Sequence, residues 1–434
     1  MTRPPSGSRS PFRKDGIRLI RISAPAAALL AAFTLAAPLR AQDTPPRDTI
    51  RVPTARDTLP TAVDRSAEPA RPRICAGGDV TLGTNLDTTW ARTAAGRLGR
   101  RVEALPSPDS LLSPLRPLLT DADVVLLNVE GAIGEGVPAR RKCAPGSTSC
   151  FAFRSPVAAA GALRRVGGEA EVVGNVANNH ARDAGDSGWR ATAGHLRGAG
   201  VQVTGMDTLP ALVALASGDT VAFLGFSAWA GPRVSDLAAV RRHVRRAADQ
   251  YRYVVVTFHA GAEGSRAVRT PDRVEVAFGE DRGNSPAFAR AAVEGGADVV
   301  FGHGPHVMRG AQWIGDALVF YSLGNLVTYG PFTFGEPLNR GAIACAELDP
   351  AGGVAAAELR STVQRAPGIV GIDSTHAAAR QVTELSRLDF AVGAAVASET
   401  GAIIRPGGGD PAGRPAIVPR RHEQRRQEPR RRVP

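Results

Sequence analysis

The sequence predicts an α/β protein built on two packed sheets, and three observations carry that reading. From residue 73 onward, strand-like apolar runs alternate with helical patterns. Runs such as "DVVLLNVE" and "YRYVVVTFHA" are apolar at nearly every position, as in strands buried on both faces. Late in the chain, "GAIACAELD" and "GVAAAELRSTV" follow one another with no helix between them, so a second sheet is expected.

The elements follow in order. "RICAGGDV" reads as a strand, "SLLSPLRPLL" as a short helix, and "DVVLLNVE" as a buried strand. "SPVAAAGALRRVG" predicts a helix with a Ser cap and Pro in its first turn. "AEVVGNV" is the next strand, and "SGWRATAGHLRGAG" a helix stopped by Gly. "VQVTG" and "TVAFLGFS" are strands, and "SDLAAVRRHVRRAADQ" is a helix expected to be capped by Ser235. "YRYVVVTFHA", "DVVFGHGPHV" and "ALVFYSLGN" are strands, with the helix "SPAFARAAVEGG" before the second. The two late strands end the regular part, there are no internal repeats, and beyond about residue 392 the chain turns Gly-, Pro- and Arg-rich.

The ends account for the charge. The chain of 434 residues is 43% hydrophobic and carries a net charge of +12. Residues 1–41 hold seven Lys/Arg against one Asp, and residues 420–434 hold seven Arg against two Glu. What lies between is close to neutral, so the basic balance gives no support to a nucleic-acid partner. Arg13, Lys14, Arg18 and Arg21 precede the apolar "APAAALLAAFTLAAPL", and Ala41 stands at a cleavage-like position. Residues 1–41 therefore read as a signal peptide, or as a membrane anchor if left uncleaved. Residues 42–72 read as a disordered linker, 73–392 as the working domain and 393–434 as a disordered tail. Export would make a Cys143–Cys150 disulfide across "APGSTS" expected, while pairing of Cys75 with Cys345 depends on geometry. No Cys-x-x-Cys occurs, which speaks against a zinc-thiolate site.

Polar residues gather at one end of these strands. Asp79 follows "CAGG", Asn128 and Glu130 follow "VVLL", and Asn179, His180 and Asp183 follow "VVGNVA". His259 and Glu263 follow "YVVVTF", His303 and His306 follow "DVVF", and Asn325 follows "ALVFYSLG". Ligands bind in the loops outside the carboxyl ends of α/β strands. Each residue alone has an ordinary explanation, such as a turn, a cap or a hydrogen-bonded imidazole. Together, carboxylates, Asn and several imidazoles suit a divalent transition metal, which lowers the pKa of bound water to about 7. A neighbouring His outside the ligand set could protonate a leaving group. Gly77, Gly78, Gly302 and Gly304 would let backbone come close to the site.

The motifs "GGDVTLG", "LLNVEGAIG", "ANNHARDAG", "HAGAEG", "GADVVFGHGPHV" and "FYSLGN" occur in the order seen in the CapA family of capsule-synthesis proteins. That family is associated with poly-gamma-glutamate and resembles the calcineurin-like metallophosphatases. The resemblance implies a four-layered α/β/β/α sandwich with the site at the strand ends. Asp79 then resembles the first metallophosphatase Asp, and Glu130, or in second place Asn128, the bridging carboxylate. Asn179 with His180 resembles the pair in which Asn binds metal and His donates a proton. Asp183 stands beside His180 in the catalytic set. His259 resembles the isolated metal His, and His303 with His306 the final pair. Asn128, Glu263 and Asn325 are expected to face substrate. The implied cofactor is one or two divalent ions of Mn, Zn, Fe or Mg. Three departures stand out: Thr81 where a His is usual, Glu or Asn for the bridging Asp, and His-x-x-His for His-x-His.

The reading that follows is an exported, metal-dependent hydrolase acting on an anionic or peptide-like surface polymer, associated with the cell envelope. The alternatives are a non-catalytic polymer-binding or assembly factor on the same fold, and a phosphoesterase.

Overall fold

The computed structural model describes residues 71–83, 106–134, 151–330 and 332–405. The signal segment, the linker up to residue 70, the Cys143–Cys150 pair and the tail beyond residue 405 lie outside the described residues. Strands are β1 (Arg73–Thr81), β2 (Val124–Val129), β3 (Ala132–Ile133), β4 (Arg154–Ser155), β5 (Glu171–Asn175), β6 (Gln202–Thr204) and β7 (Ala211–Ala214). They continue as β8 (Thr220–Ser227), β9 (Tyr253–His259), β10 (Val276–Ala277), β11 (Glu280–Asp281), β12 (Val299–His303), β13 (Ala311–Ile314) and β14 (Ala317–Phe320). The last are β15 (Asn325–Thr328), β16 (Arg340–Leu348), β17 (Val354–Arg365), β18 (Ile369–Ile372), β19 (Val396–Ala397) and β20 (Ile403–Ile404). Helices are α1 (Pro108–Leu112), α2 (Ala158–Val166), α3 (Gly185–Gly198), α4 (Leu237–Ala248), α5 (Ser285–Gly295) and α6 (Ala377–Asp389).

Two sheets dominate. One has eight strands, ordered β18-β17-β16-β1-β2-β5-β6, with β15 beside the end of β1; the other is ordered β13-β14-β12-β9-β8-β7. In each sheet the strands that lead to the site run parallel. The period of two then divides the central strands between two cores. Ile74, Ala76, Val124, Leu126, Tyr253, Val255, Phe301 and Phe320 meet between the sheets. Their neighbours Cys75, Val125 and Leu127 face α2 and α3, whereas Val254, Val256 and Phe258 face α4 and α5. The result is the four-layered α/β/β/α sandwich that the motif resemblance implies. Each fully buried Phe or Val contributes about 1.5–3 kcal/mol, so the inter-sheet face is a rigid base for whatever the strands carry at their ends.

Several local expectations need correction. "SLLSPLRPLL" is not one helix: α1 has five residues and passes into a 3₁₀ turn over Ser113–Leu118, because Pro114 and Pro117 lack the amide an α-helix needs. Ser155 does not cap α2 but belongs to β4, which pairs with β3. Asp236, not Ser235, caps α4, its carboxylate accepting from the Ala239 amide at 2.9 Å. The sequence reading missed α6, although Ala378, Ala379, Val382 and Leu385 bury one helical stripe. Nor does regular structure stop at residue 392: the Trp313 amide donates to Gly393 at 2.7 Å, and β19 pairs with β20. That edge pairing is tertiary, so Gly- and Pro-rich composition conceals it.

Cys75 and Cys345 face each other in the antiparallel β1–β16 ladder and form a disulfide across 270 positions. Replacing both by Ala is expected to cost about 2–5 kcal/mol, read from guanidinium unfolding without reductant. An unchanged midpoint would mean the bridge adds nothing to the ladder.

Candidate metal centre

Strand register builds the site before any side chain is considered. In the first sheet Asn175, Asn128, Asp79 and Asn325 are partners in one row across β5, β2, β1 and β15. In the second, Ser227, His259 and His303 form the matching row across β8, β9 and β12. Parallel strands ending at the same height bring these residues side by side. The rows meet at Asp79, whose Oδ1 lies 3.7 Å from Nδ1 of both His259 and His303.

Asp79 is fully buried and surrounded by donors. The Asn128 amide donates to its Oδ1 at 2.8 Å, and the Gly304 amide to its Oδ2 at 3.3 Å. His306 Nδ1 is 3.0 Å from Oδ2. Burial alone would raise the Asp79 carboxyl, but the His306 hydrogen bond and the three imidazoles outweigh it and hold it below the usual range. Asn128 is anchored in turn, accepting from the Asn175 amide at 3.1 Å. Glu130, just past β2, brings Oε1 to 3.6 Å from His306 Nε2 and 3.9 Å from Nε2 of both His259 and His180. Ligand atoms of Asp79, Glu130 and His306 all lie within 4.8 Å of one another.

The imidazoles differ in charge for physical reasons. Burial pushes His303 down to about 4 and His259 well below its ordinary value, with Asp79 opposing, so both are neutral. For His306 burial also lowers, yet Glu130, Asp79 and Glu263 overcome it and push it up to about 10. His259 Nε2 and both ring nitrogens of His303 have no hydrogen-bond partner among the described residues. Leaving buried nitrogens unsatisfied costs about 1–3 kcal/mol each. The imidazoles are borderline donors and the two carboxylates hard ones, a mixed set that a divalent cation would satisfy, so the residues fit a metal. Asp79, Glu130, His259, His303 and His306 would hold it.

His306 adopts φ +59, which a residue other than Gly seldom does. The turn is opened by Gly304 at φ +113 and fixed by Asn325, whose amide donates to the His306 carbonyl at 3.2 Å. His180 belongs to a second unit. Its Nδ1 is 2.7 Å from Asp183 Oδ2, which also accepts from the Phe153 amide at 2.6 Å. The ring packs on Phe153 at 4.2 Å, and the Asn178 Oδ1 accepts from the His180 amide, an Asx-turn.

Most predicted residues thus come together, and two change role. Asn128 and Asn325, expected to face substrate, are turned inward with their amides committed to Asp79 and to the His306 turn. Glu130 holds the central carboxylate position in preference to Asn128. Asn179 lies in the turn after β5, partly exposed, and Glu263 sits at the rim, 3.0 Å from Arg282 and 3.9 Å from His306. Thr81 is buried and pairs with Thr328, away from this cluster, so His306 supplies the imidazole beside Asp79. Trp229, with its ring 5.7 Å from His259, was missed; it lies just past β8, where the strand-end rule would have found it. Arg282, at 4.5 Å from the Trp229 ring, has no local sequence signal.

Comparison with known proteins adds a family. Residues 73–329 match the model of the family described as bacterial capsule synthesis protein PGA_cap. The chain is 41% identical to the capsule biosynthesis protein CapA of Bacillus anthracis over 59 residues, 12% of this chain and 14% of that one. It is 28% identical to the PGA biosynthesis protein CapA of Bacillus subtilis over 166 residues, 35% of this chain and 41% of that one. The chain spans less than half the length of the curated relatives it matches. Among solved structures, a phosphatase of Mycoplasma pneumoniae aligns at 12% identity and a TM-score of 0.41, over 71% of this chain and 96% of that one.

Two outcomes are expected. Replacing His303 and His306 together by Ala should abolish metal uptake, measured by elemental analysis, while circular dichroism stays unchanged. Normal metal content would remove both from the ligand set. In the metal-free protein His306 keeps its proton up to about pH 10, whereas Asp79, His259 and His303 have none to lose. Metal binding at pH 7 should therefore displace the His306 proton, and affinity should rise with pH toward 10. Calorimetry in buffers of different ionisation enthalpy reads this directly, and a pH-independent affinity would contradict it.

Proposed function

Because the chain belongs to the bacterial capsule synthesis protein PGA_cap family, we propose that it is an exported, metal-dependent hydrolase acting on an envelope polymer. The observation that carries the reading is that a His–Asp pair, His180 with Asp183, stands against the same carboxylate, Glu130, as the imidazoles of the metal centre. A centre built only to hold a structural ion needs no oriented imidazole beside it. The Cys75–Cys345 disulfide supports export, since such bridges persist in oxidising compartments.

A divalent cation bound there supplies Lewis acidity and lowers the pKa of water toward neutrality. The protein's own groups do the rest. Asp183 accepts from Nδ1–H of His180 and so fixes the ring with Nε2 toward Glu130. A proton at Nε2 is then held where a leaving nitrogen or oxygen departs, and passes to it as the scissile bond breaks. Phe153 covers one face of the ring and limits access of bulk water. Glu263 lines the rim, where an extended chain would pass, and is held there by the buried Arg282. The substrate class is an anionic or peptide-like surface polymer, with a polyglutamate chain as the first to try.

His180→Ala should retain full metal content and lose about 10²–10⁴-fold in turnover of polyglutamate, whose leaving nitrogen needs a proton. Asp183→Asn should lose much of the same factor. Equal turnover in wild type and His180→Ala would mean that His180 is not the acid. A protein that binds metal yet is inert on every polymer and ester would favour polymer binding without catalysis.

A further inference from the structure

Arg309 is the largest fully buried side chain among the described residues, and the chemistry above makes no use of it. It lies three residues past His306 and directs its whole guanidinium at one segment. Nε donates to the Ala267 carbonyl at 2.8 Å and Nη2 to the Ala262 carbonyl at 3.1 Å. Nη1 and Nη2 each reach one oxygen of Glu275 at 2.8 Å, a bidentate pair. Glu275 also accepts from the Ala262 amide at 3.2 Å, and its backbone pairs with Arg282 and Gly283. Gly261 leaves the room for this: at φ +91, a Cβ there would stand 2.9 Å from Arg309 Nη1 and 3.1 Å from Glu275 Oε2.

We infer that Arg309 and Glu275 form a buried clamp that positions His306 and Glu263 against Asp79 and Glu130. A buried ion pair adds little stability over a well-packed apolar pair, so stability alone is a poor reason for one here. Orientation is a better one. The clamp joins the chain just after His306 to the residue just before Glu263. The Gly264 amide, donating to the Pro305 carbonyl at 3.1 Å, closes the same link from the other side. His306 holds an uncommon φ, which lasts only where the surroundings over-determine it. The fork of a guanidinium is needed, because an ammonium offers one point charge and cannot fix two strands of chain at once. Both residues are positioning residues; neither touches the reacting atoms.

The test uses the full chain as wild type, Arg309→Lys, Glu275→Gln and, as a stability control, Val382→Ala in α6. Two readouts are followed: the imidazole resonances of ¹⁵N-histidine-labelled metal-free protein, and Mn(II) affinity by titration. Only the second rests on the metal-centre reading. Arg309→Lys is expected to shift the His306 resonances and weaken Mn(II) binding about 10–100-fold, with a smaller loss for Glu275→Gln. Val382→Ala should lower the melting temperature and leave both readouts in place. Wild-type His306 resonances and Mn(II) affinity in a less stable Arg309→Lys would reduce the clamp to a structural pair and overturn the inference. If Arg309→Lys does not fold, Glu275→Gln decides by the same criteria. If wild type takes up no Mn(II), the metal reading fails, and the His306 resonances still decide the clamp.

Discussion

A carboxylate with no access to water, that of Asp79, sets the conditions for everything near it. A bare buried charge is too costly to keep, so the fold must answer it with donors or cations. The answer comes partly from the backbone, through Gly304, and partly from a relay of amides in which Asn175 holds Asn128 and Asn128 holds Asp79. That relay exists only in the observed register of β1, β2 and β5. A slip of one residue would turn Asn128 to the opposite face and leave Asp79 without its nearest donor.

The same logic explains what was legible in the sequence. Continuous apolar runs ending abruptly in Asp, Asn, Glu or His disclose both the buried strands and the height at which they stop. Asp79, Glu130, His259, His303 and His306 could therefore be picked out before any contact was known. The roles of Asn128 and Asn325 could not. Whether an amide at a strand end turns toward solvent or toward a neighbouring strand depends on pairing partners far along the chain, here Asn175 and the His306 turn. Helix α6 and the residues after 392 were lost for a related reason. Both are held by contacts with the edge strand β13 and its surroundings, and the local pattern there is short or interrupted by Gly.

The spacing of the two late imidazoles is also intelligible. No imidazole comes to Asp79 from its own strand, and the His-x-x-His spacing, with the left-handed turn at His306, carries the second ring round to Asp79 Oδ2. Glu at position 130 fits the same picture. Placed just beyond the strand, it needs the longer side chain to reach the imidazoles of His180, His259 and His306 from one oxygen.

The centre is divided between the sheets. Asp79 belongs to a strand of one and Glu130 to the end just past its neighbour β2, His259 and His303 to strands of the other, and His306 to the turn that follows. Its geometry is therefore only as good as the packing between Tyr253, Phe301 and Phe320 on one side and Ile74 and Leu126 on the other. Any cation held there is a contact across that core, so binding free energy and packing free energy are shared. This gives the disulfide and the Arg309–Glu275 pair a common logic. One pins β1 to β16 beneath the centre, and the other fixes the loops above the second sheet. Each limits motion of one half of the ligand set, while the buried core between the sheets limits motion of one half against the other.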